Sequence, residues 1–107
     1  MTDPDSTEAI AMIMETAQMR IASGREGEFV QALESAKAVI AQAPGFRVIH
    51  VHRGVERPDT FLLAIGWDTL EDHTVGFRGS ALFGQWRAIL SEYFAEPPQV
   101  EHWDLLG

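Results

Sequence analysis

The sequence contains no cysteine, which excludes disulfide bonds, a thiol nucleophile and cysteine-ligated metal. Positive charge is also scarce, since 8 Lys and Arg residues stand against 16 Asp and Glu residues for a net charge of −8. This balance argues against nucleic acid or an anionic lipid surface as a partner and is typical of a soluble protein. No apolar run approaches the roughly 20 residues of a membrane span. Because the acidic start MTDPDSTE is unlike a signal or transit peptide, we expect a cytoplasmic protein.

Motifs for common cofactors and nucleophiles are absent as well. Gly24 and Gly27 precede a predicted helix but do not follow a dinucleotide-binding pattern, and no phosphate-binding glycine loop occurs. The sequence also lacks a serine nucleophile motif. Any chemistry must therefore come from histidines, carboxylates and aromatic residues.

The 107 residues are enough for one domain with a sizeable core. We expect residues 1–9 to form a disordered tail and residues 10–107 to form the domain. Short apolar runs and alternating patterns predict four strands, at residues 10–21, 46–55, 60–68 and 100–106. In the first of them, polar Glu15 and Gln18 interrupt the apolar residues.

Two main helices are predicted from apolar residues at helical spacing. The first begins near Ser23, which has capping-box spacing to Glu26, and ends at Pro44-Gly45. The second begins at Ser80 and ends at Pro97-Pro98. A shorter helical turn is predicted between the third strand and the second helix, where Thr69 and Asp72 again have capping-box spacing.

The order strand, helix, strand, strand, helix, strand predicts an α+β fold, a ferredoxin-like sandwich with one antiparallel sheet and two helices on one face. Strand three is apolar on both faces, with Phe61 and Leu63 on one side and Leu62 and Ala64 on the other. Because two helices cover only one face, the other face needs a partner. A second copy of the chain satisfies this need, so we expect a homodimer.

Several segments, taken in order, resemble the antibiotic biosynthesis monooxygenase (ABM) family over residues 10–106. They are Pro44-Gly45-Phe46 before strand two, Trp67 at the exit of strand three, Ser80-Ala81-Leu82-Phe83 at the second helix, EDHTVGFRGS from Glu71 to Ser80, and AEPPQVEHW from Ala95 to Trp103. The resemblance implies a dimeric α/β barrel. It also implies oxidation of quinols or polyketide-type aromatics by molecular oxygen as co-substrate, with no metal or flavin cofactor.

The resemblance does not extend to the haem-degrading branch of this superfamily. Arg87 stands where that branch has its ligand histidine, and Ala17 stands where it has an asparagine. Many members also have a histidine at the position of Phe77, whereas this chain has His73 one turn earlier. Of the haem-branch site only Trp67 is matched.

Trp67 and His73 are the predicted catalytic residues. An indole can stack on a planar substrate and its N–H can orient an oxygen, although Trp67 is also suited to core packing. His73 can act as a general base on a phenolic oxygen, because imidazole titrates near neutral pH. The alternative for His73 is packing at the mouth of a cavity.

Four further residues are predicted to bind the substrate, namely Phe77, Phe83, Trp86 and Arg87. The aromatic residues among them also have the spacing of core residues. Arg87 and Arg78 can pair with an anionic substrate group or, alternatively, neutralise Glu71, Asp72 and Glu92.

The remaining histidines raise the question of a metal site. His50 and His52 share one face of strand two, but zinc would need a third ligand such as His102 or Glu101, which no spacing requires. We therefore predict no metal site. Polar packing on the dimer face accounts for His50 and His52.

Two functions remain open from the sequence. One is a cofactor-independent monooxygenase acting on a small, electron-rich aromatic substrate. The other is a non-catalytic dimeric domain that binds a small apolar ligand or a protein partner. A cavity that contains His73 beside Trp67 would favour the first, and a solid core at that place would favour the second.

Overall fold

A computed structural model of the chain describes residues 12–107. The four strands are β1 (Ile13–Arg20), β2 (Phe46–Arg53), β3 (Thr60–Trp67) and β4 (Gln99–Asp104). The helical elements are α1 (Glu26–Ile40), a π-helical segment (Asp72–Phe77), α2 (Ala81–Leu90) and a 3₁₀ turn (Ser91–Tyr93). The predicted order of strands and main helices is confirmed. The predicted tail at residues 1–9, and residues 10 and 11 of the predicted first strand, lie outside the described residues.

The strands form one sheet in the order β2-β3-β1-β4, and all three neighbouring pairs are antiparallel. This is the ferredoxin-like arrangement that the element order predicts. β1 and β3 occupy the centre of the sheet, so side chains on these two strands have neighbours on both sides. A side chain on β1 can therefore meet residues of β3 and β4 at once.

The core lies between one face of the sheet and the two helices. Every second residue of β3 points into it, and Phe61, Leu63, Ile65 and Trp67 are all fully buried. α1 covers them with the apolar stripe that its sequence predicts, of which Phe29 and Leu33 are the central members. Burying each of these large side chains contributes roughly 1.5–3 kcal/mol.

The helix starts differ in part from the capping predictions. α1 begins at Glu26 with Arg25 in the N-cap position, so the prediction that Ser23 caps it is wrong. The Glu26 carboxylate instead accepts a hydrogen bond from the Gly24 backbone N–H at 3.1 Å. Ser80 does occupy the N-cap position of α2, but its hydroxyl donates to the Phe77 carbonyl.

The turn between Thr69 and Asp72 matches its prediction. The Asp72 carboxylate accepts from the Thr69 backbone N–H at 3.2 Å, and the Thr69 hydroxyl accepts from the Asp72 N–H at 3.1 Å. Gly45 packs directly against this turn with a φ of 84°, and a Cβ atom at Gly45 would collide with the Asp72 side chain. The backbone just before β2 is thus in close contact with the start of the segment that carries His73.

The second face of the sheet is not covered by helices. Met14, Leu62 and Trp103 lie on this face and are 41%, 38% and 47% exposed. His50 and His52 are also exposed on this face, as their strand parity predicts. We call this surface the open face. Among residues 12–107 no helix has the length and hydropathy of a membrane span, and the cytoplasmic location stays a prediction.

Candidate active site

The π-helical segment brings two side chains to the edge of the core. His73 and Phe77 are its buried residues, while Val75 and Gly76 between them are exposed. A π-helix has a wider turn than an α-helix and occurs mostly as a single turn, often at functional sites. His73 and Phe77, four positions apart, lie on the inner side of this turn.

A chain of polar contacts runs through the site from Trp67 to His102. Trp67 Nε1 donates to Glu15 Oε1 at 2.9 Å in a buried contact. His73 Nε2 lies 3.3 Å from the same oxygen, and His73 Nδ1 lies 2.8 Å from His102 Nε2. Glu15 and His73 are only 5% and 3% exposed. Four side chains from four different elements therefore form one polar cluster inside an apolar core.

Strand register explains how three of these residues meet. Glu15 on β1 pairs with His102 on β4 and with Ile65 on β3. Trp67 lies two residues beyond Ile65, so it is a diagonal neighbour of Glu15 on the same face of the sheet. The π-helical segment then places His73 over this group, with its ring stacked on Trp67 at a centroid distance of 5.3 Å.

Burial changes the acid–base properties of the cluster. It lowers the pKa of His73 from 6.5 to about 4, with the Arg78 guanidinium and His102 acting in the same direction. Burial and Arg78 also lower the pKa of His102. Burial raises the pKa of Glu15, whereas the Trp67 hydrogen bond and Arg78 oppose that rise. His73 is therefore a neutral imidazole near pH 7, so its close contact with Glu15 is not an ion pair at this pH.

The contacts of the two ring nitrogens of His73 differ in kind. His73 Nδ1 and His102 Nε2 share a hydrogen bond whose donor depends on the tautomer. His73 Nε2 lies 3.3 Å from Glu15 Oε1. Glu15 Oε1 accepts the hydrogen bond of Trp67 Nε1–H, whereas no residue among 12–107 donates to Glu15 Oε2.

A cavity of about 420 Å³ adjoins this cluster. Its walls come from β1, the end of α1, the π-helical segment, α2, the chain before β4 and β4 itself. Glu15 and His73 are among its lining residues. The remaining lining is mainly apolar and comprises Ala17, Met19, Ile40, Phe77, Phe83, Trp86, Leu90, Phe94, Pro97, Pro98 and Val100, together with Arg78, Arg87 and Ser91. A cavity of this size with few polar groups is typical of a small-molecule site.

Two arginines line the cavity without a carboxylate partner in the described part of the chain. Arg78 and Arg87 are exposed and form no ion pair within residues 12–107, although Arg87 lies over the Phe83 ring at 5.8 Å. Glu92 pairs with Arg25 at 3.2 Å instead. Within residues 12–107, Glu71, Asp72 and Glu92 form no ion pair with Arg78 or Arg87. Their positive charge faces the cavity.

Comparison with known proteins identifies the family. A sequence profile for antibiotic biosynthesis monooxygenases matches residues 12–89, which include β1, β3, the π-helical segment and most of α2. The chain belongs to the antibiotic biosynthesis monooxygenase family. The match ends before β4, so the position of His102 lies outside it.

Individual relatives agree with this assignment. A protein of Bacillus subtilis (strain 168), the uncharacterized protein YczJ, is 37% identical over 91 residues, covering 85% of this chain and 96% of YczJ. The crystal structure of a candidate antibiotic biosynthesis monooxygenase from Bordetella bronchiseptica has a TM-score of 0.87 and 38% identity, covering 90% of this chain and 98% of that one. A Streptomyces coelicolor monooxygenase from the gene ActVA-Orf6, solved with Nanaomycin D, has a TM-score of 0.78 at 15% identity, covering 94% and 93%, which shows a shared fold.

The ABM fold places most of the predicted site residues around one cavity. His73, Phe77, Phe83, Trp86 and Arg87 all line it. Trp67 does not, because it is fully buried behind His73 and reaches the site through Glu15. Whether these residues bind or transform a substrate stays a prediction.

The other three histidines lie in two different places. His50 and His52 lie on the open face of β2, whereas His102 lies on the helix side of β4 at the opposite edge of the sheet. Among residues 12–107 no group of three His, Cys, Asp or Glu side chains is placed to hold a metal ion. His102 is thus a partner of His73 and not of the other two histidines.

Sequence reasoning missed Glu15. The residue read as a polar interruption of β1, yet it shares strand parity with Ala17 and Met19, which face the core. A carboxylate on the apolar side of a strand was the available signal, since buried acids are rare unless they have partners.

Proposed function

We propose that this protein is a monooxygenase that oxidises a small, electron-rich aromatic, such as a quinol or polyketide-type phenol, with molecular oxygen and without flavin or metal. The observation that carries the proposal is the mainly apolar cavity with a buried carboxyl–imidazole pair in its wall. Family membership and the shared fold with a monooxygenase that binds Nanaomycin D support it.

The reaction balances without an external reductant. A phenol with an unsubstituted para carbon and one O₂ give the para-quinone and one water, so the substrate supplies all four electrons. The protein then has to bind the ring, accept the phenolic proton and keep bulk water away. Deprotonation leaves an electron pair on the phenolate oxygen and makes the ring a better electron donor to oxygen.

The cavity walls match these tasks. Phe77, Phe83 and Trp86 offer ring faces and edges to a planar substrate. Arg87 can pair with an anionic substituent or with the phenolate itself. The cluster of Glu15 and His73, backed by Trp67, supplies the acid–base chemistry.

Oxygen uptake is the direct test. Protein treated with a chelator, with no flavin added, is mixed with a panel of hydroquinones and polycyclic phenols in an oxygen electrode. We expect uptake above autoxidation and quinone formation for at least one phenol. No uptake across the panel, combined with saturable binding of the same compounds, would favour the non-catalytic ligand-binding domain.

We also propose that the protein is a homodimer in which the open faces of two sheets pack together as a dimeric α/β barrel. The exposure of Met14, Leu62 and Trp103 on this face supports the proposal, because such a patch is unfavourable in water. Light scattering at micromolar concentration should give twice the chain mass of 11.9 kDa. Leu62→Glu should shift the protein towards monomer, whereas Val55→Glu, at an exposed loop position outside this face, should not.

A further inference from the structure

We infer that Glu15, through its Oε2 atom, accepts the substrate's phenolic proton, and that His73 and His102 are positioning residues that hold this carboxylate. The inference rests on the proposed function and assigns its central proton transfer to one atom. It differs from the sequence-based prediction, which gave the role of base to His73.

Both ring nitrogens of His73 face other side chains of the cluster. One lies 3.3 Å from Glu15 Oε1 and the other 2.8 Å from His102 Nε2. A general base needs a free lone pair directed at the proton that it removes. His73 would have to break one of these contacts to provide it, and its depressed pKa makes it a weak proton acceptor near pH 7.

The two oxygens of Glu15 have different surroundings. Oε1 accepts the hydrogen bond of Trp67 Nε1–H and lies 3.3 Å from His73 Nε2. Glu15 lines the cavity, and no described residue donates to Oε2. Within residues 12–107, Oε2 is thus the acceptor of the cluster that remains open to a ligand.

Burial also affects the basicity of Glu15. It raises the pKa of Glu15 and makes this carboxylate a stronger base than an exposed one. The charged and titratable groups around Glu15 are Arg78, His73 and His102, of which Arg78 counteracts the rise. The Trp67 hydrogen bond at Oε1 counteracts the rise as well.

The proton transfer balances in each cycle. The phenolic O–H bond breaks, its electron pair stays on the substrate oxygen, and a new O–H bond forms at Glu15 Oε2. The protonated carboxyl later returns this proton to the oxygen atom that leaves as water, together with the hydrogen from the oxidised ring carbon. Glu15 therefore ends the cycle ionised, as it began.

The first experiment measures binding and needs no turnover. β-Naphthol and its methyl ether are titrated into wild type, Glu15→Gln and Glu101→Gln, with the last as a control at an exposed carboxylate on β4. Wild type and Glu101→Gln should prefer the naphthol by about tenfold or more, the usual gain of a hydrogen bond to a charged group. In Glu15→Gln the amide oxygen should face the Trp67 N–H at the Oε1 position, so the NH₂ group replaces Oε2 and the preference should vanish. Equal affinities for the two probes in wild type would overturn the inference.

The second experiment compares pH–rate profiles across about pH 5 to 9. Glu15→Gln should lower kcat by about 10²–10⁴-fold and remove the acid limb of the profile. His73→Asn should keep an acid limb, because the carboxylate that titrates is still present. If His73→Asn removes the limb and Glu15→Gln keeps it, His73 is the base and the inference is wrong.

Two controls separate possible failures. Glu15→Asp keeps the charge on a shorter side chain and should retain the acid limb with a lower kcat. This variant keeps the inference testable if Glu15→Gln misfolds. Circular dichroism checks the fold of each variant. If wild type consumes no oxygen but prefers the naphthol through Glu15, the proposed oxidation fails while the placement of Oε2 stands. If wild type is active and Glu15→Gln is equally active, only the inference fails.

Discussion

Acidification should destabilise this protein because burial of His73 disfavours its protonated form. The substitution Glu15→Gln should reveal this contribution. The folded state holds the pKa of His73 at about 4, against 6.5 for the ordinary side chain. Because the unfolded chain binds a proton in this range and the folded protein does not, this contribution to stability is present above pH 6.5 and is lost as pH falls towards 4. Integrating the two titrations gives a loss of about 2 kcal/mol between pH 7 and pH 5. His102, whose pKa is also lowered, adds in the same direction.

Glu15 contributes to the pH dependence with the opposite sign. Its pKa in the folded protein lies above 4.5, so the folded state holds a proton longer than the unfolded chain. This stabilisation is present below pH 4.5 and is lost as pH rises through the raised pKa. In wild type the two contributions partly cancel. Glu15→Gln should therefore lose about 2 kcal/mol on acidification from pH 7 to pH 5, whereas His73→Asn should lose much less or gain.

Urea unfolding followed by circular dichroism at fixed protein concentration, repeated across this pH range, measures these slopes. His50→Asn is the matched control, because His50 is exposed on the open face and should leave the wild-type slope unchanged. The reasoning would be refuted if Glu15→Gln, His73→Asn and His50→Asn all gave the wild-type dependence on pH.

Three further substitutions test the support of the site. Trp67→Phe removes the N–H donor to Glu15 and should cost about 1.5–3 kcal/mol of unfolding free energy by urea titration, and it should also move the acid limb of activity to higher pH. Gly45→Ala should cost about 1–2 kcal/mol from its positive φ, and more from the collision with Asp72, measured as a lower thermal midpoint. Arg87→Gln should weaken binding of a naphthol carboxylate more than binding of the parent naphthol by calorimetric titration; equal losses would argue against an anion contact.

Much of the fold was predictable because periodicity determines it. The alternating residues of β3 and the stripe of α1 have the periods of strand and helix, and the order of elements then leaves few topologies. Strand ends were less predictable: β2 ends at Arg53 and β4 at Asp104, two residues before their predicted ends. Terminal residues of a strand are held by few contacts, so local sequence says little about them.

The site was predictable only in part, because its assembly depends on register and on helix type. His73 was predicted from the acid–base chemistry of imidazole, and the aromatic cavity residues were predicted as possible ligand contacts among residues with core spacing. The pairing of Glu15 with His102 depends on how β1 and β4 align, and no local pattern reports that alignment. The π-helical turn that directs both His73 and Phe77 inward depends on its tertiary surroundings, since neighbouring residues alone would equally fit an ordinary helical turn.

Burying the polar cluster costs folding free energy, so its presence in the core needs a reason other than stability. Glu15 and His73 occupy core positions that apolar side chains of similar volume would fill, often with equal or greater stability. Burial opposes the charged form of each residue, as the raised pKa of Glu15 and the lowered pKa of His73 show. Proteins tolerate such departures from core packing mainly at sites that act on a ligand. The cavity beside Glu15 and His73 provides the place for that ligand, so the same burial that weakens the fold makes the carboxylate a stronger base where a substrate can reach it.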